Sequence, residues 1–549
     1  MSTVQAKLWV SPMGWPELES PEVSAREPIG LCFSGGGARS LAASWGQLRA
    51  LYALGALDRA RYISGVSGGS WASGIYTFQR VTDEATFLGP LLPPEALTLT
   101  ALAEPLTPQS LGFAATRNVW GFLAESTRDP QVPPDRLWAD VIGRHMLAPY
   151  GLFDHGAPEA VAPNDAYVDA LRARPGMAEV IAGWTVRTPA RGPFLVVGAC
   201  VLGPESMLPL DVERPAPIDL TPLYCGVGEA VTGVFQRRTG ALSKIKDRLQ
   251  PGDPPPEVVA VPVGGAVVES VVFGGGPAPA KGGVQALPAP NAPWSLADIV
   301  GASSSAWAGV LEETPGLGRL HKLAPTVSLW PAWRDGTPPD TRFALGDGGI
   351  LENFGLITLL RRGVDRAIVL VNTSTPLDTD WDPNTDAPSP DRIDSYLPGL
   401  FGRPQKSVGT TTVDNMVFPT AELAPLVTAL QAARRAGEPV MALQTHRLLD
   451  NRWWGVAGGR AVKVLWVYLD HVPAWEAQLK DPELKDAIQD GDRKILPTGP
   501  LKHFPHYKTS GENLGGSISL TDTQARALAE LTSWGLLRRR ELVEALLGG

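Results

Sequence analysis

The sequence predicts an α/β fold, a three-layer sandwich with a mostly parallel central sheet, and three observations carry that expectation. Short unbroken apolar runs recur at Ile29 to Phe33, Tyr62 to Val66, Phe194 to Cys200, Ala367 to Val371 and Val464 to Leu469. Continuous rather than alternating apolarity marks strands buried on both faces. The first two runs pass through glycine-rich turns straight into helix-compatible segments, the strand-to-helix handover of a parallel sheet. With 549 residues, 44% of them hydrophobic and 19% charged, the chain can bury one large core or two.

Taken in order, residues 1–28 carry Pro and Glu with Trp9 and Trp15, and read as an irregular N-terminal surface arm. The run Ile29 to Phe33 then breaks into Ser34, Gly35, Gly36 and Gly37. Leu41, Trp45, Leu48 and Tyr52 follow at steps of four, three and four, which is one helix face, and Gly55 is its stop. Three glycines therefore sit at a helix N-terminus, where backbone amides lack partners and negative charge is welcome. Tyr62 to Val66 leads into Gly65-Val66-Ser67-Gly68-Gly69 and a helical stretch from Ser70 to Phe78. A G-x-S-x-G between strand and helix pushes the serine hydroxyl out of the sheet top as a nucleophile; a bare glycine turn with a surface serine is the plainer alternative.

From Leu88 to Asp165 the chain turns loop-rich, and the segment of about 80–190 is expected to cap the site and shape an acyl pocket. Phe194 to Leu202 reads as a buried strand. Residues 251–293 are rich in Pro and Gly and predict an excursion or mobile flap around a short β-like stretch, VVESVVF. Ala297 to Gly309 resumes helix, and Trp330 and Trp333 fall in a Pro-rich turn. Thr420 to Ala436 is helical, Thr521 and Gln524 form a capping box, and Arg538 to Leu547 closes as a basic surface helix. The arm at 1–28 thus precedes a catalytic core at 29–380, with 381–549 completing the sheet and its outer helices.

A serine nucleophile needs a base and an oxyanion site. Gly35, Gly36, Gly37 and Gly68 are the candidate amide donors, and Asp347, in Gly346-Asp347-Gly348-Gly349, is the sharpest candidate base. An ordinary Ser-His-Asp triad using His446, His471 or His503 is the rival arrangement. His503 and His506 have a spacing that metals use, but no further ligand stands nearby, so they read as ordinary structure. Cys32, Cys200 and Cys225 are far apart and read as buried thiols. No H-E-x-x-H or calcium-loop pattern is present. A net charge of −9 argues against nucleic acid as a partner. The N-terminus lacks a basic start followed by an apolar core, and no apolar run reaches about 18 residues, so the expected location is the cytoplasm with peripheral contact at membranes.

Ser34 to Arg39 (SGGGAR), Gly65 to Trp71 (GVSGGSW) and Asp347 to Gly349 (DGG), in that order, resemble the patatin-like phospholipases, with the first two closest to their cytosolic phospholipase A and lysophospholipase branch. The likeness covers about 30–360. It implies a Ser-Asp dyad without histidine: Ser67 as nucleophile, Asp347 as base and Gly35 to Gly37 as the oxyanion hole. Arg39 matches the basic residue that helps hold the lipid phosphate. Ser40 stands where the patatin pattern often has glycine, which fits the branch. The resemblance implies hydrolysis of phospholipid or lysophospholipid esters through an acyl-serine, without metal or cofactor, at transient contact with a membrane surface. A transacylase using the same intermediate, a triad esterase or lipase, and a non-catalytic lipid-binding protein of the same fold are the alternatives.

Overall fold

The structure, a computed structural model, describes residues 3–11, 14–80, 83–126, 128–207, 210–237, 258–275, 282–290, 292–306, 324–329, 341–407, 410–411, 413–492, 497–508 and 519–548. It opens on strand β1 (Thr3–Val10), which buries Val4, Ala6 and Leu8 in strict alternation, the period-two pattern of a strand with one face on the core. The expected irregular arm is corrected over these residues: polar partners at every second position hid a sheet strand.

Strand β2 (Glu27–Phe33) leads into helix α1 (Gly37–Ala53), and β3 (Ala60–Val66) into α2 (Gly68–Phe78). Gly55 takes a left-handed φ of 68° after α1, the stop expected of it. Short helices follow, among them α3 (Leu137–Ile142). Six strands come next: β4 (Phe194–Pro204), β5 (Leu210–Arg214), β6 (Ala216–Leu220), β7 (Tyr224–Arg237), β8 (Val258–Glu269) and β9 (Gly283–Pro288). The remaining elements that frame the site are α4 (Leu296–Ser303), β10 (Thr326–Leu329), β11 (Thr341–Asp347), α5 (Leu356–Arg361), β12 (Arg366–Val371), α6 (Leu423–Arg435), β13 (Met441–Arg447), β14 (Ala461–Tyr468), α7 (Asp522–Arg538) and α8 (Arg540–Leu547).

Among the described residues, fourteen strands form one sheet ordered β9-β1-β8-β7-β6-β4-β3-β2-β12-β14-β13, with β11 paired to β4 and β10, and β5 to β7. Its centre, β4-β3-β2-β12-β14, is parallel throughout, as the continuous apolar runs required. Antiparallel strands extend it beyond β4 and close it at β13. Two of these, β8 and β9, lie inside 251–293. The expected excursion is therefore corrected to sheet over them, while 251–257, 276–281 and 291 lie outside the described residues, as do Trp330, Trp333 and 307–309. The segment reads poorly because its valines are interrupted by Pro262, Gly264 and Gly265, and the ladder absorbs them through a register shift between Gly264 and Ala266.

Helix α7 opens on the predicted capping box, with Thr521 and Gln524 each accepting from the other's backbone amide, and packs Ala529 onto Gly46 of α1. Cys32, Cys200 and Cys225 are buried free thiols.

Candidate active site

One strand brings the two motif turns together. Val66, the residue before Ser67, registers with Gly198 of β4, and Asp347, the last residue of β11, registers with Ala199 of the same strand. Strand β3 ends where β11 arrives from the opposite direction, so neighbouring residues of β4 deliver Ser67 and Asp347 to one place.

Ser67 adopts φ 50° and ψ −123°. Apart from His503, it is the one non-glycine residue with positive φ among those described. Such a conformation costs about 1–3 kcal/mol and persists only where its surroundings enforce it. Here the Ser67 carbonyl accepts from the Ser70 amide at 2.9 Å and the Ser70 hydroxyl at 2.6 Å, which locks the turn onto α2. The Ser67 side chain lies close enough to the Asp347 carboxyl to oppose the effect of burial on it. Asp347 is 3% exposed and accepts from the Gly349 amide at 2.7 Å. Burial pushes its carboxyl up to about 7, against the opposing effects of Gly349 and Ser67. A carboxylate of that basicity can take a serine proton near neutral pH, which one in water cannot do well.

The N-termini of α1 and α2 meet beside this pair. A Cβ on Gly68 would lie 2.1 Å from the Gly37 carbonyl oxygen, so the two helix starts touch backbone to backbone. Gly36 and Gly37 hold φ values of 134° and 57°, conformations that side chains resist. As first residues of their helices, Gly37 and Gly68 carry amides with no intrahelical acceptor. Gly35 departs from expectation. Its amide donates to the Asn353 carbonyl at 2.9 Å, so it ties the glycine-rich turn after β2 to the loop that follows Asp347. Its missing side chain still matters, since a Cβ there would come 3.1 Å from that of Ser67.

Arg39 also differs from the sequence reading. It is 4% exposed, its Nε donates to the Asn372 carbonyl at 3.0 Å, and its Nη1 donates to the Tyr507 carbonyl. The guanidinium joins α1 to the backbones of Asn372 and Tyr507 and lies under Gly36.

The three histidines considered for a triad have surroundings of their own. His446 faces Glu422 at 2.8 Å and accepts from the Trp466 indole at 3.0 Å; His471 pairs with Glu476 and Asp492; His503 is exposed. Among the described residues none bonds to Ser67 or Asp347. His506 lies against Asp470 and the Thr373 carbonyl, apart from the environment of His503. Sequence reasoning missed Asn353 and Ser303. The Ser303 hydroxyl accepts from the Ser67 amide at 3.0 Å and donates to the Gly198 carbonyl at 2.6 Å. A run of three serines ending a buried helix was the available signal.

Residues 31–117 match the family model of the patatin-like phospholipases, so the resemblance read from the motifs holds over that segment. No curated protein sequence matches the chain. Among solved structures, human GIVD cytosolic phospholipase A2 is similar at 13% identity and a TM-score of 0.44, over 94% of this chain and 59% of that one. The same human protein in complex with methyl gamma-linolenyl fluorophosphonate is similar at 13% identity and a TM-score of 0.39, over 96% and 60%. The chain spans about 59% of the length of the first of these.

Proposed function

We propose that this chain is a lipid acyl hydrolase that cleaves the carboxylic esters of phospholipids or lysophospholipids through a Ser67–Asp347 dyad. The observation that carries the reading is that adjacent residues of β4 register with Val66 and Asp347, which sets Ser67, in its strained turn, beside a buried carboxyl that burial pushes up to about 7. The patatin-like segment at 31–117 supports a lipid ester as the substrate class.

In this mechanism Asp347 takes the Ser67 proton as the hydroxyl oxygen attacks the ester carbonyl carbon. The amides of Gly37 and Gly68 receive the oxyanion, a contribution of about 3 kcal/mol per donor. Collapse breaks the ester bond, and the leaving alcohol takes the proton from Asp347. Water then attacks the acyl-serine, gives its proton to Asp347, and the fatty acid departs as Ser67 recovers its proton. Arg39 supports the oxyanion turn from behind in this scheme; the head-group contact would fall to another residue. The chain would work as one catalytic unit, with about 80–190 as its cap: α3 packs against α4, and Ser303 at the end of α4 contacts Ser67.

The test is release of free fatty acid from mixed phospholipid and lysophospholipid vesicles without calcium. Wild type should be active, and Ser67→Ala and Asp347→Ala should each lose at least about 10³-fold in kcat. Activity that survives Asp347→Ala would move the base elsewhere, and an inert wild type would overturn the hydrolase reading.

A further inference from the structure

We propose that Ser303 is a positioning residue for the dyad: its hydroxyl, held between the Ser67 amide and the Gly198 carbonyl, sets the separation of nucleophile and base. The inference rests on the hydrolase reading above and goes beyond it, because Ser303 belongs to neither motif turn and is 236 residues from Ser67.

Ser303 is fully buried and forms the last residue of α4. A hydroxyl has one proton to give and lone pairs to receive, and both capacities are used. It accepts from Ser67 N–H at 3.0 Å and donates to Gly198 O at 2.6 Å. The acceptor is well placed for this purpose, since Gly198 registers with Val66 while its neighbour Ala199 registers with Asp347. A single side chain thus ties the backbone of the nucleophile to the strand on which the base is registered. Ser67 needs such a tie, since positive φ is a conformation its own side chain disfavours.

Helix α4 is itself firmly mounted. Asp298 completes a capping box with Ser295 and also pairs with Arg136, and the Trp138 indole donates to Ser304 Oγ at 3.1 Å. The neighbouring hydroxyls are used elsewhere: Ser304 donates to Val300 O at 2.7 Å, and Ser305 to Ala302 O at 2.9 Å with a longer contact to Leu345 O at 3.5 Å. Ser303 is the one of the three serines that reaches across to the nucleophile.

The experiment compares wild type, Ser303→Ala, Ser303→Cys and Ser305→Ala. Each is measured for kcat and KM on lysophospholipid micelles, for the rate of fluorophosphonate labelling, for the pH profile of kcat/KM and for its thermal midpoint. Ser303→Ala should lower kcat about 10- to 100-fold and slow labelling in parallel, with KM within about twofold. Its acidic limb should move to higher pH, because a Ser67 hydroxyl that drifts away no longer opposes the effect of burial on Asp347. Ser303→Cys, of similar size but weaker in hydrogen bonding, should fall between wild type and alanine; it gives the answer if the alanine protein does not fold. Ser305→Ala should keep wild-type kinetics. Unchanged kcat, labelling and pH profile in both Ser303 variants would overturn the positioning role while leaving the dyad standing. A wild type that neither hydrolyses nor labels would overturn the dyad, and Ser303's role with it.

Discussion

Asp347 is the residue where stability and chemistry conflict. Its carboxyl is lifted from an ordinary value of 3.8 to about 7, chiefly by burial. Because the folded-state pKa lies above the unfolded one, the folded protein binds more protons between these values, and stability falls as pH rises through that window. At 1.36 kcal/mol per unit, the ionised group costs the fold on the order of 4 kcal/mol above pH 7. Asp347→Asn keeps the size and an acceptor for Gly349 without the charge. It should abolish fatty acid release and stabilise the protein by that order at pH 8, with little gain at pH 4, as measured by urea unfolding at the two pH values. Equal effects at both would mean that Asp347 does not titrate near 7. In the wild type the same titration should appear as an acidic limb in kcat/KM near pH 7. Arg39 teaches a different lesson at this scale: the motif shows that an arginine is present, and only burial shows that its donors face inward.

The abutting starts of α1 and α2 are the elements that make an oxyanion site possible. Each begins with an amide that has no intrahelical acceptor, and the contact at Gly37 and Gly68 brings the two beside Ser67. Gly68→Ala introduces a Cβ only 2.1 Å from a backbone oxygen, a clash no side-chain rotation can relieve, so the helices must part. Expected outcomes are a stability loss of about 1–3 kcal/mol, the usual range for overpacking, and a loss of hydrolysis and fluorophosphonate labelling of at least about 100-fold. Labelling at the wild-type rate would show that these amides do not stabilise the oxyanion. The glycines were legible because G-G-G and G-x-S-x-G occur between an apolar run and a helical face. The contact between the two turns was not, since nothing within either turn specifies its neighbour.

Across the whole molecule, a buried ionic network joins the antiparallel extension to the parallel centre. Arg362, fully buried, donates to Glu17 at 3.1 Å, to Asp219 of β6 at 2.6 Å and to the Tyr224 hydroxyl of β7 at 2.8 Å. Trp15 covers its guanidinium at 4.4 Å, and Asp219 also holds Arg361 and Thr358 of α5. These partners come from residues 15–17, 219–224 and 358–362, so the network fixes how the sheet extension meets the segment just after the base turn. Arg362→Met leaves the Glu17 carboxylate without its cation, while Asp219 keeps Arg361, and should cost about 3–5 kcal/mol, read as a lowered urea midpoint. Replacing Glu17 by Gln in the same chain should recover part of it, and additive losses would show that the pair is not coupled.

The sequence by itself determined the parallel central strands and the two glycine turns and singled out Ser67 and Asp347 as candidates, because these depend on residues a few positions apart. A continuous apolar run must be buried on both faces, and a glycine-serine turn between strand and helix has few other geometries. Tertiary structure alone decided that Gly35 is engaged by Asn353, that Arg39 is enclosed, that Thr3–Val10 and the strands within 251–293 join the sheet, and that Ser303 braces Ser67. Each of these rests on a partner distant in sequence, and above all on β4, where adjacent residues register with Val66 and Asp347. Register between distant strands follows from how the whole sheet packs, and no local preference of the chain contains it.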